Sequence, residues 1–277
     1  MASRHLHCDI ICGSATVTLC LSNASTMDTS TPNREDSRTW SGFWSGLIWF
    51  VIGYLTINVT QLVALIVMAA GETVDAGGDL SEERIAMLAV DGDVLTLGLL
   101  LTLPAFWGLI ALATKGRRNQ ALFEFLGLRS VDSATVLRWS LYAIGLAVAI
   151  AILDTLLGRP PVPKIMLDAY SSADNLLFFC IGVAVFGPVA EELLFRGYIA
   201  RVWAASRLGP TMTTVLLSLL WAGIHLQYDL YDMTWVFALG VILCLSRLQT
   251  NSIIPALIIH MGWNTVGLAV LAYYNAV

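Results

Sequence analysis

Between Phe43 and Ala70 the chain is almost wholly apolar, and this stretch comfortably exceeds the roughly 20 residues a helix needs to cross a bilayer. Similar runs recur at about Val94 to Thr114, Trp139 to Leu157, Leu176 to Ala190, Thr211 to Leu226, Met233 to Leu245 and Ile253 to Tyr274. Together they predict an all-α polytopic membrane protein, a bundle of about seven to eight spans with its chemistry inside the membrane. Composition agrees: of 277 residues, 57% are hydrophobic and 13% charged, about half the charge of a typical soluble domain.

Residues 1–40 read as a separate polar tail, rich in Ser, Thr, Asn and Asp. Its apolar patch from Ile10 to Leu21 is broken by Gly13 and Ser14 and is too short and mixed to span. Disorder is the expectation there, with Met27 an alternative start. His5, His7, Cys8 and Cys12 fit no standard zinc spacing. Residues 41–277 form the membrane-embedded domain. Its segment Glu72 to Asp93 carries many carboxylates against Arg84 alone and predicts an aqueous loop with a short helix from Ser81. Pro104 predicts a kink, Ala121 to Leu128 a short amphipathic piece, and Gly158 to Pro163 a firm stop. Cys180 and Cys244 lie in apolar runs, where cysteine serves as a small hydrophobe.

Basic residues set the direction. Arg34, Arg38, the Lys115 to Arg138 cluster, Arg196 to Arg207 and Arg247 fall on one side, and the acidic loop and the Tyr228 to Asp232 turn on the other. Only Arg159 and Lys164 dissent. A cytoplasmic N-terminus follows, with Glu191 approached from the cytoplasmic half. No basic run suggests nucleic acid, and no repeat suggests a transporter built on inverted halves.

The costly residues are Glu191, Glu192 and Arg196, which close the run from Leu176. Charges inside a bilayer cost roughly 2.5–3.5 kcal/mol each on insertion scales, so they normally face a bundle interior and pair. Glu192 and Arg196 stand at i and i+4 and can neutralise each other, which leaves Glu191 needing another partner. Outside the tail the only histidines are His225 and His260, both in apolar runs and both in i, i+4 pairs: Trp221 with His225, His260 with Asn264. Taken singly, each has a bland reading as an ion pair or interhelical glue. Jointly, Glu191, His225, His260 and Asn264 can converge in one cavity. Depth is the difficulty, because at 1.5 Å per residue His225 would lie about 24 Å from its helix boundary and Glu191 about 15 Å.

Glu-Glu-x-x-x-Arg, then aromatic-x-x-x-His, then His-x-x-x-Asn, on successive helices, resembles the CAAX prenyl endopeptidase and bacteriocin-processing proteases, the CPBP or Abi type. The resemblance covers a core of about 172–274. Trp221 stands where that family usually has Phe. The resemblance implies an intramembrane endopeptidase, a hydrolase with Glu191 as general base, His225 holding the same water, and His260 with Asn264 donating to the oxyanion. Glu192 and Arg196 would support them. Members are commonly called metalloproteases, and Glu191, His225 and His260 could supply three ligands to zinc or another divalent metal. The chain lacks His-Glu-x-x-His, so a metal-free glutamate mechanism stands beside that one. A prokaryotic inner or plasma membrane and a peptide or protein substrate follow: a leader peptide, a bacteriocin precursor, a membrane regulator or, least in keeping with a bacterial member, a prenylated C-terminus. Two other classes compete, a non-proteolytic scaffold or immunity factor retaining the motif, and a small-solute or proton transporter.

Overall fold

The computed structural model describes residues 39–114 and 122–276, and every regular element among them is helical. The expectations for the tail before Thr39 and for Lys115, Arg117 and Arg118 lie outside the described residues. The helices are α1 (Ser41–Ala76), α2 (Glu82–Leu88), α3 (Gly92–Thr114), α4 (Leu122–Leu126), α5 (Ser133–Leu157) and α6 (Lys164–Ser172). They are followed by α7 (Leu176–Ala204), α8 (Gly209–Gly223), α9 (Leu230–Thr250) and α10 (Ile254–Ala276). Six of these, α1, α3, α5, α7, α9 and α10, are long and apolar enough to cross a membrane. The protein is thus a polytopic helical membrane protein. At 15 residues α8 rises about 22 Å, short of a hydrocarbon core of about 30 Å.

Local chemistry sets the ends. Gly77 and Gly158 take φ of 66° after α1 and α5, a left-handed conformation that stops a helix at little cost to glycine. Ser81 caps α2 by accepting from the Arg84 amide at 3.2 Å, Asp132 caps α5 at Thr135, and Asp229 caps α9 at Asp232. Helix α3 passes through Pro104 without interruption. Helix α6 follows directly from Pro163 as a short amphipathic element with Ala169 buried, an element the polar sequence there did not suggest.

Close packing of α1 on α7 depends on two glycines. A Cβ at Gly46 would collide with the Trp203 indole, whose Nε1 donates to the Phe43 carbonyl at 2.9 Å, and one at Gly53 would collide with Leu194. Helix α1 meets α3 through a buried hydroxyl pair, Thr60 and Thr102, at 2.7 Å. The bundle has two unlike ends. At one, Arg129 donates to the Thr250 carbonyl, Arg201 to the Phe125 carbonyl, and the Arg207 amide to the Thr39 carbonyl. At the other, Arg84 pairs with Glu72, Arg159 with Asp229 and Lys164 with Asp168, so the two dissenting cations each sit against a carboxylate.

Candidate active site

Helix α7 carries the acidic motif and is not uniformly α-helical. It widens into π turns over Gly182–Phe186 and Glu192–Ile199. A π turn skips a hydrogen bond of the α ladder and leaves a carbonyl free, and such turns concentrate at functional sites. Each segment has a carbonyl taken by a side chain from another helix. Asn264 Nδ2 on α10 donates to Val183 O at 2.8 Å, and Arg247 Nε on α9 donates to Arg196 O at 3.0 Å. The distorted helix is therefore pinned from two sides.

Glu192 and Arg196 form their i, i+4 pair at 3.0 Å, and both side chains are at 0% exposure. The pair does more than neutralise itself. Glu192 Oε1 also accepts from His260 Nδ1 at 2.9 Å, and the Arg196 guanidinium lies 4.4 Å from the centre of the Trp221 ring. Because the carboxylate accepts at Nδ1, the neutral tautomer of His260 presents its Nε2 lone pair on the far side. A buried ion pair is costly unless its remaining lone pairs are satisfied; here the imidazole takes up part of that demand.

Helix α8 stops at Gly223, so His225 lies in the turn beyond it and not in a span as its apolar setting suggested. The last carbonyls of a helix lack intrahelical partners, and His225 Nδ1 donates to one of them, Trp221 O, at 2.7 Å. That contact leaves Nε2 of His225 free as well. Trp221 then joins the parts. Its Nε1 donates to Glu191 Oε2 at 2.7 Å, and its ring meets His225 and His260 edge to face, with centroids 5.1 and 5.3 Å away. The depth mismatch is closed at this residue. Glu191 itself is half-buried, in contrast to Glu192.

The fixed partner of Glu191 is thus the Trp221 indole, a donor that Phe at this position would lack. The sequence marks Trp221 only as a replacement for the family's Phe; the extra N–H of Trp over Phe is the signal that points to this role. Asn264 lies beside the site on α10, with one of its two amide N–H groups on Val183. Arg247 was read only as a topology signal, although it is 1% exposed and braces the motif through the Arg196 carbonyl.

Residues 173–266 match the family model described as type II CAAX prenyl endopeptidase Rce1-like. This stretch is similar to the CAAX-protease family. All six motif residues fall within the matched segment, and α1 to α6 fall outside it. The chain is also 28% identical over 141 residues to an uncharacterized 24.3 kDa protein of Escherichia coli. That overlap takes in 50% of this chain and 61% of the relative, so the chain spans about three fifths of the length of the curated protein it matches. No solved structure matches.

Both imidazoles of the matched segment have Nδ1 oriented by an oxygen acceptor, which is also how metal-bound histidines are held. Among the described residues, however, no three His, Cys, Asp or Glu side chains come together as a group able to hold a metal ion. Glu191, His225 and His260 do not form a ligand set in this arrangement, and no step below runs through a metal.

Proposed function

We propose that the chain is an intramembrane endopeptidase that hydrolyses a peptide bond with a water activated by Glu191. One observation carries the reading: a half-buried carboxylate held by an indole N–H stands with two imidazoles that each keep Nε2 free. A purely structural cluster would be expected to spend those lone pairs internally.

The chemistry follows from the donors and acceptors. A water donating one hydrogen bond to Glu191 and one to His225 Nε2 turns its lone pair toward a substrate carbonyl. As the oxygen adds to that carbon, Glu191 takes the proton. The tetrahedral oxyanion needs donors, which His260 supplies when protonated at Nε2 and Asn264 supplies through its second N–H. Protonated His260 is matched by the Glu192 carboxylate at Nδ1, and Arg196 pairs with the same carboxylate oxygen. Glu191 then returns its proton to the leaving amine as the carbon–nitrogen bond breaks. A general base of this kind contributes about 10²–10⁴-fold in rate.

The test uses the purified chain in lipid nanodiscs with a peptide library drawn from membrane-anchored precursors, read by mass spectrometry. Cleavage lost in both Glu191→Gln and His225→Ala, with folding intact, supports the peptidase. Equal cleavage in Glu191→Gln would remove the base from the mechanism, and no cleavage by the parent chain favours the scaffold.

A further inference from the structure

At the end of the bundle away from Arg129, Arg201 and Arg207 lies a pocket of about 290 Å³ of mixed character, with Arg159, Lys164, Gln227, Asp229 and Asp232 in its walls beside prolines and Val162. Tyr228, which lines the pocket, begins a ladder of ring contacts that reaches the candidate site. Tyr228 stacks on His225 with centroids 5.8 Å apart and planes 18° apart, His225 meets Trp221, and Trp221 holds Glu191. A second hollow of about 530 Å³ runs between α5 and α10 on the flank of the bundle. Its walls are apolar, with Ile144, Ala147, Ile258 and Val266 among them, and Val162 lines both hollows.

The two ends differ in charge. At the arginine end stand Arg129, Arg138, Arg201 and Arg207. Among the described residues at the pocket end the cations are Arg84, Arg159 and Lys164, each paired with a carboxylate. Excess Lys and Arg mark the cytoplasmic side of a membrane protein.

We infer that the site opens on the extracytoplasmic face, through the pocket beside Tyr228. Its substrate is a membrane-anchored polypeptide whose apolar segment lies in the α5–α10 groove and whose scissile segment crosses Val162 into the pocket. The cut presupposes the peptidase reading; the direction of access does not. The shared lining residue Val162 is what selects a polypeptide over a lipid chain alone, since it sets the apolar groove beside a pocket with the hydrogen-bonding groups a backbone needs. The cytoplasmic approach suggested by the basic residues alone is thereby reversed: the same residues orient the bundle, but the pocket opens at its other end.

Two measurements test this separately. Gln227→Cys and Ser130→Cys place exposed thiols at the pocket end and the arginine end. In intact cells a membrane-impermeant maleimide labels Gln227→Cys above the parent chain, and labels Ser130→Cys only after permeabilisation; the reverse pattern overturns the direction of access. For the groove, a Cβ at Gly262 meets nothing within 4 Å, so Gly262→Leu fills the groove without disturbing the helix. Cleavage of a membrane-anchored precursor falls at least tenfold in that variant while a short soluble peptide is cut as before. Equal cleavage of both would mean that a lipid chain occupies the groove, and would overturn this route. Failure of the peptidase reading would show as inactivity of the parent chain, with the maleimide pattern unaffected.

Discussion

Replacing Glu191 by Gln keeps an oxygen for the Trp221 indole to donate to, yet removes the group that can take a proton. Glu191→Gln is therefore expected to lower cleavage by about 10²–10⁴-fold with no change in thermal unfolding; a comparable loss of stability would mean that Glu191 is structural. Trp221→Phe makes the opposite separation, since the ring over Arg196 remains and the N–H to Glu191 is lost. A hydrogen bond to a charged group is worth about 1.5–3 kcal/mol, so kcat should fall by about tenfold or more while KM changes little. The smaller ring also leaves a void, and a stability loss of about 1–2 kcal/mol is expected from that alone. The family that the motifs resemble usually has Phe at this position. Its 2.7 Å contact with Glu191 shows that this chain uses the indole differently.

At the scale of the element, the π turns of α7 decide which side chains meet. Asn264→Leu removes the donor on Val183 O and leaves a carbonyl at a helix interface unpaired, at a cost of about 1–3 kcal/mol. Unlike Glu191→Gln, this variant should lose activity and thermal stability together. At the mouth of the pocket, Asp229 is held below the ordinary carboxylate range by the Asp232 amide first and by Arg159 next. A depressed carboxyl stabilises the fold above its unfolded pKa of about 3.9, and that contribution disappears as pH falls through its lower folded value. Unfolding temperature in detergent should accordingly stay flat from neutral pH to about 4 and drop below it, and Asp229→Asn, which still caps α9, should flatten part of that drop. Several features here were legible in advance, because apolar runs, capping residues and i, i+4 spacing are local signals. The ion pair of Glu192 with Arg196 and the short helix after Ser81 belong to that group. The π turns, the end of α8 before His225, and the side chains of Asn264 and Arg247 on freed carbonyls depend on contacts between distant segments, which no local pattern records.

Across the whole molecule, the half that carries the candidate site rests on helices outside the matched residues 173–266. Gly46 and Gly53 let α1 lie against Trp203 and Leu194 of α7, and Trp203 is wholly buried. In an exposed helix Gly→Ala gains roughly 0.5–1 kcal/mol. At Gly46 the new methyl collides with a rigid indole, and overpacking of this kind costs about 1–3 kcal/mol. Gly46→Ala is expected to destabilise the protein, measured as a lower unfolding temperature in detergent; a stabilised variant would mean that α1 does not pack as described. In the same bundle arginines gather at one end and the pocket lies at the other, the arrangement on which the inferred direction of access rests. The most direct test of the central claim compares the membrane-protein N-termini of cells carrying the parent chain with those carrying Glu191→Gln at equal protein level. A discrete set of uncleaved precursors should accumulate in the variant and be cut on restoring Glu191, whereas indistinguishable N-termini in the two would contradict a peptidase that depends on this carboxylate.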